Sequence, residues 1–118
     1  MLNLKVDECY AFDYMAILFI KRNKSIQALK TWEDCYRYIR DQLDEKFFNE
    51  IIDSKEYEDM IDANQKTFNM VERAKNNSCT AMDVDKCNYG RHRAKEKFQE
   101  KFFGTPMSEI KIGYEKYK

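Results

Sequence analysis

The chain of 118 residues contains one proline, three glycines, one tryptophan and one histidine. So little proline and glycine excludes collagen-like chains, Gly/Ser linkers and turn-rich β-sandwiches, and it favours helices. A catalytic dyad or triad built on histidine has only His92 to centre on. Cys87 stands five positions earlier, about 140° away around a helix, so the two do not face each other. Tyr89 precedes His92 at i−3, which excludes the paired Glu-x-x-His ligands of di-iron bundles. No Cys-x-x-Cys is present, and Cys9, Cys35, Cys79 and Cys87 lack zinc-ligand spacing. The cysteines are expected to be structural thiols, and no metal or other cofactor is expected.

Charge of one sign is also lacking. Twenty-one basic residues balance twenty-one acidic ones. A neutral chain has no long-range field to draw it to nucleic acid or to an anionic membrane. The longest apolar run, Tyr14 to Ile20, has seven residues, far short of the ~20 that span a bilayer. Asp7 and Glu8 stand where a secretory signal needs basic residues. A cytoplasmic protein with reduced thiols is expected, with no membrane partner. Lys, Asn, Ile, Tyr and Phe are common and Gly, Pro and Arg scarce, as in accessory proteins of AT-rich genomes such as many phages.

What the chain does have is helical periodicity. With 43% apolar and 14% aromatic residues there is enough to build a core. The spacing predicts helices over about 6–22, 25–52, 54–76 and 81–103, and an extended arm over 104–118. The first is apolar around most of its circumference and is expected at the centre, with Asp7 as its cap. In the second, Leu29, Trp32, Tyr36, Ile39, Leu43, Phe47 and Ile51 make a near-heptad stripe expected in the core, with a kink near Asp44. Asp53-Ser54-Lys55-Glu56 reads as a capping box for the third helix, and Thr80 to Asp83 as one for the fourth. The fourth stripe, Val84, Cys87, Ala94, Phe98 and Phe102, is thin. Gly104 and Pro106 stop that helix. In the arm, Ile110, Ile112 and Tyr114 alternate with polar residues and are expected to dock on an apolar groove. The fold expected is all-α: one four-helix bundle-like domain with an extended C-terminal arm.

Two constellations bear on function. Residues 1–62 carry nine basic and fourteen acidic side chains, and residues 63–118 twelve and seven, so net −5 precedes net +5. Within the second half, Lys86, Arg91, Arg93, Lys95 and Lys97 make the fourth helix basic. Pairing with the acidic half, within or between copies, is the expected use of these cations. Nucleic-acid binding by this helix is the alternative. His92, among them, is expected to be solvated. Asp13 sits amid Phe12, Tyr14, Met15 and Ile17. It is expected at a helix edge, reaching water or a tyrosine hydroxyl; a buried Arg or Tyr partner is the other arrangement.

The acidic pairs Glu50/Asp53, Glu56/Asp59 and Asp59/Asp62 each share a helix face and suit Mg²⁺ held against a phosphate. In size, helical class and the Glu56/Asp59 pair, the chain resembles the all-α nucleoside triphosphate pyrophosphatases of the MazG type. That family adds a Glu-x-x-Glu pair on the preceding helix. Here Glu33 is followed at i+3 by Tyr36 and Glu8 by Ala11. The resemblance implies a Mg²⁺-dependent pyrophosphatase as an alternative function. The residues favour a small intracellular interaction, assembly or regulatory module without catalysis, acting on a protein partner or as a homodimer. The candidate surface is Lys86, Arg91, Arg93, Lys95, Lys97, Phe102, Phe103, Ile110, Ile112 and Tyr114. The doublets Phe47-Phe48 and Phe102-Phe103 offer aromatic surface for such a contact.

Overall fold

Leu43 ends one helix and Asp44 begins the next, so the periodic stretch over 25–52 is two helices rather than one kinked helix. Leu43 is extended, with φ −113° and ψ 165°, and the Asp44 carboxylate accepts a hydrogen bond from the Phe47 amide at 3.2 Å. An aspartate cap satisfies an amide that the first helical turn leaves open. Periodicity missed the break because Leu43, Phe47 and Ile51 keep helical spacing across it.

The computed structural model describes residues 1–109 and 113–117. It is an all-α, bundle-like fold: α1 (Glu8–Lys21), α2 (Ile26–Gln42), α3 (Glu45–Ile52), α4 (Lys55–Lys75) and α5 (Ala81–Phe103). Five α-helices among the described residues replace the expected four. Each later start has a side-chain cap. Ser25 accepts from the Ala28 amide, and Ser54, rather than Asp53, accepts from the Tyr57 amide. Thr80 and Asp83 form the expected reciprocal box. Gly104, at φ 67°, closes α5 in the left-handed region that glycine enters without strain.

The first helix packs on α2, α4 and α5, in the expected central place. Cys9, Phe12, Met15 and Ala16 are buried there with Phe48, Ile51, Tyr57, Met60 and Phe98. The Phe12 ring centroid lies 5.0 Å from that of Phe98 and 6.2 Å from those of Phe48 and Tyr57. By contrast, α2 buries no residue fully. Trp32, Tyr36, Ile39 and Leu43 pack half-buried against the core edge, because α2 packs mainly on α1 and α3. The stripe marks the correct face but not core depth.

The thin stripe of α5 has a physical cause: much of its inward face is polar. His92, Lys95 and Gln99 are buried beside Phe98. Gln99 caps α1 in place of Asp7. Its Oε1 accepts from the Cys9 amide at 2.9 Å, and its Nε2 donates to Glu8 and Thr105. Asp7 instead accepts from the Ser108 amide and hydroxyl, both at 2.7 Å. The C-terminal segment is thereby fastened to the start of α1. Its last described turn, Glu115–Tyr117, is a short 3-10 helix rather than fully extended chain. Ile110 and Ile112 lie outside the described residues.

Candidate functional site

The cations expected on one basic face of α5 divide between two environments. Lys86, Arg93 and Lys97 line a groove between α4 and α5 together with Asp59, Asp62 and Lys66 from α4. Arg91 and Lys95 turn away from it. Arg91 pairs with Asp13 at 3.2 Å. Lys95, only 8% exposed, pairs with Glu109 at 3.3 Å and places its ammonium 4.9 Å from the Tyr10 ring centroid. A helix advances 100° per residue, so positions 86, 93 and 97 cluster on one side while 91 and 95 cannot join them. One continuous basic face, as the nucleic-acid alternative needs, is not what these five residues make.

The groove has a volume of about 440 Å³ and a floor of small residues: Ala63, Cys87, Gly90 and Ala94. A Cβ built on Gly90 meets nothing within 4 Å, so no internal packing requires glycine there. Mid-helix glycine costs about 1 kcal/mol relative to alanine. Across the groove, opposite charges face each other without pairing. Asp59 pairs instead with Lys55 at 3.3 Å, and Arg93 with Glu96 at 3.1 Å, each within its own helix. Lys66, Lys86 and Lys97 have no ion-pair partner among the described residues.

The remaining candidates sit in packed positions. Phe102 and Phe103 lie against Phe47, with ring centroids 6.3 and 5.7 Å away, and against Phe98. Tyr114 is half-buried among Tyr89, His92 and Tyr117. His92 is 8% exposed, not solvated. Its Nε2 lies 3.7 Å from Glu96 and its Nδ1 3.9 Å from Glu109, the latter on the segment that covers this part of α5. Asp13 takes the second arrangement weighed for it. It is 7% exposed, paired with Arg91 and bonded by Asn64. Partners from distant helices offset the cost of burying it.

The buried Cys9 thiol and the half-buried Tyr10 phenol are held neutral. Burial pushes the Cys9 thiol up to about 12. It also raises the Tyr10 phenol, which is further raised by its hydrogen bond to Glu109. A thiol or phenol without its anion is a weak nucleophile at neutral pH.

The Glu56/Asp59 pair does not converge. The Glu56 carboxylate accepts from Lys101 on α5, which holds its pKa below the ordinary value, while Asp59 turns to Lys55. Among the described residues, no group of three or more His, Cys, Asp or Glu is placed to hold a metal ion. Nor is any helix among them long and apolar enough to cross a membrane.

One feature escaped sequence reasoning. The segment before α1 has no regular secondary structure and leaves Leu2 97%, Leu4 81% and Val6 56% exposed. The signal was present: Leu2, Leu4 and Val6 alternate with Asn3 and Lys5, the period of a strand with one apolar side. Further apolar exposure lies on Tyr14, Ile26 and Tyr38.

No protein-family model matches the chain, and no curated protein or solved structure is detectably similar to it.

Proposed function

We propose that the chain is a small cytoplasmic interaction or assembly module without catalytic activity, working through contact with a protein partner or a second copy of itself. The observation that carries this reading is the apolar side of residues 2–6. Among the described residues, Leu2 and Leu4 stand almost fully in water and Val6 is more than half exposed. Fully burying each is worth about 1.5–3 kcal/mol. A segment outside regular secondary structure whose apolar residues alternate with polar ones is suited to extend along a groove or add to a sheet edge of another protein. The polar interior is accounted for structurally: Gln99 caps α1, Arg91 and Asn64 satisfy Asp13, and Lys95 meets Glu109.

The test compares the wild type with the double variant Leu2→Asp/Leu4→Asp as bait in extract of the native host. The two aspartates touch no packed position, so the variant is expected to melt like the wild type. A protein retained by the wild type and lost by the variant supports the reading. Identical captures by both, or none by either, contradict it.

A further inference from the structure

We infer that the groove between α4 and α5 receives the acidic outer face of α3 from a second copy of this chain. The inference deepens the self-association arm of the proposed function and does not depend on residues 2–6. It rests first on charge complementarity. The groove presents Lys66, Lys86, Arg93 and Lys97 against Asp59 and Asp62. The outward face of α3 presents Glu45, Glu50 and Asp53 with Lys46 among them. Four cations with two anions thus meet three anions with one cation, and the minority charge on each side also finds its opposite.

Four further observations agree. The acids of the α3 face have no ion-pair partner among the described residues, and neither do Lys66, Lys86 and Lys97. The space above Gly90 is open, and its small neighbours Ala63 and Ala94 let an incoming helix come close. The groove also lacks any aromatic lining, which a stacked base would use. The whole-chain split of −5 and +5 follows the same division, since α3 belongs to residues 1–62 and α5 to residues 63–118. A pair in which each copy gives its α3 to the other's groove closes with two such contacts.

The experiment uses complementary reversals. One variant carries Lys66→Glu and Lys86→Glu in the groove; the other carries Asn49→Lys and Glu50→Lys on α3. All four positions are exposed, and circular dichroism melts establish that each variant folds. The wild type is expected at twice the 14.3 kDa chain mass by native mass spectrometry and light scattering. Each variant alone is expected to associate at least about tenfold more weakly, since surface pairs contribute up to about 1 kcal/mol each and the groove variant reverses two charges while the α3 variant reverses one and adds a repelling cation. Mixing the variants should restore association, because an acidic groove then meets a basic α3. Raising salt from about 0.05 to about 0.5 M should weaken the wild type, as screening shortens to a few ångströms. A wild type at 14.3 kDa throughout overturns the inference. So does association that the reversals leave unchanged, or variants that fail to recover on mixing. So does an unrelated acidic peptide, poly-glutamate, that binds the groove while the chain stays monomeric. Loss of capture by Leu2→Asp/Leu4→Asp with normal charge-swap behaviour would separate the two contacts.

Discussion

Asn64 donates a hydrogen bond to Asp13 at 2.8 Å while its own amide is also anchored to the Met60 carbonyl at 2.9 Å. With Arg91 on the other carboxylate oxygen, this contact ties α1 to α4 and α5 at one buried point. Removing one partner of a buried ion pair leaves the other desolvated, at a cost of about 3–5 kcal/mol. Asp13→Ala is therefore expected to lower stability by about 3 kcal/mol. Asn64→Leu should lower it by about 1–3 kcal/mol, the cost of an unmet buried acceptor. In urea titrations the Asp13→Ala/Arg91→Ala double variant should fall well short of the summed single losses. Additive losses would show that the pair is not coupled.

The C-terminal segment is held by polar contacts to three places: Ser108 to Asp7, Glu109 to Lys95, and the Tyr117 hydroxyl to Asp85 at 2.9 Å. Deleting residues 108–118 removes all three and leaves Lys95 without its carboxylate. A loss of about 3 kcal/mol is expected, with helix content by circular dichroism nearly unchanged. An unchanged melting temperature would show that the segment is not part of the folded unit.

Acid should loosen these ties in a defined direction. Asp7, Glu56 and Asp83 are held below the ordinary 3.8, 4.5 and 3.8 by hydrogen bonds from Ser108, Lys101 and Thr80. A carboxyl with a depressed folded pKa adds stability that is fully present above its unfolded value and lost as pH falls through the folded one. The melting temperature is expected to begin dropping near pH 4.5 and to keep dropping below 3.8. Asp7→Asn and Glu56→Gln should each make that drop shallower. A wild type equally stable above and below this window would contradict the assignment.

Thiol chemistry separates three of the four cysteines. Cys9 is 0% exposed with its pKa pushed up to about 12, and burial also raises Cys35. Cys87 lines the open groove. Alkylation at pH 8, followed by peptide mass spectrometry, should mark Cys87 well before Cys35 and reach Cys9 only on unfolding. Early labelling of Cys9 would mean that the start of α1 opens readily.

Local chemistry was legible in the sequence where one stretch of chain decides it. Thr80 with Asp83 and Gly104 at the end of the last helix are caps whose partners lie within a few residues. The central place of α1 was legible because it is apolar on nearly every side. What remained hidden depends on residues far apart in sequence. Gln99 and Cys9 are 90 positions apart, and Arg91 and Asp13 are 78 apart. A pattern that counts apolar residues therefore assigns Gln99, Lys95 and His92 to the surface. At Leu43 and Asp44 only a kink was read where the chain forms two helices, since apolar spacing runs straight across the break. The alternation of Leu2, Leu4 and Val6 follows the period of a strand, next to a first helix read at the period of a helix.

The most direct measurement of the interaction reading is photo-crosslinking in the native host from a benzoylphenylalanine placed at Leu4. That side chain is 81% exposed and touches no core position. The account predicts a discrete covalent adduct between this position and one second polypeptide, either a host protein or another copy of the chain. The adduct should be absent when the same probe replaces exposed Lys30 on α2. A probe at Leu4 that yields only uncrosslinked chain, or a diffuse smear shared with the Lys30 control, would contradict it.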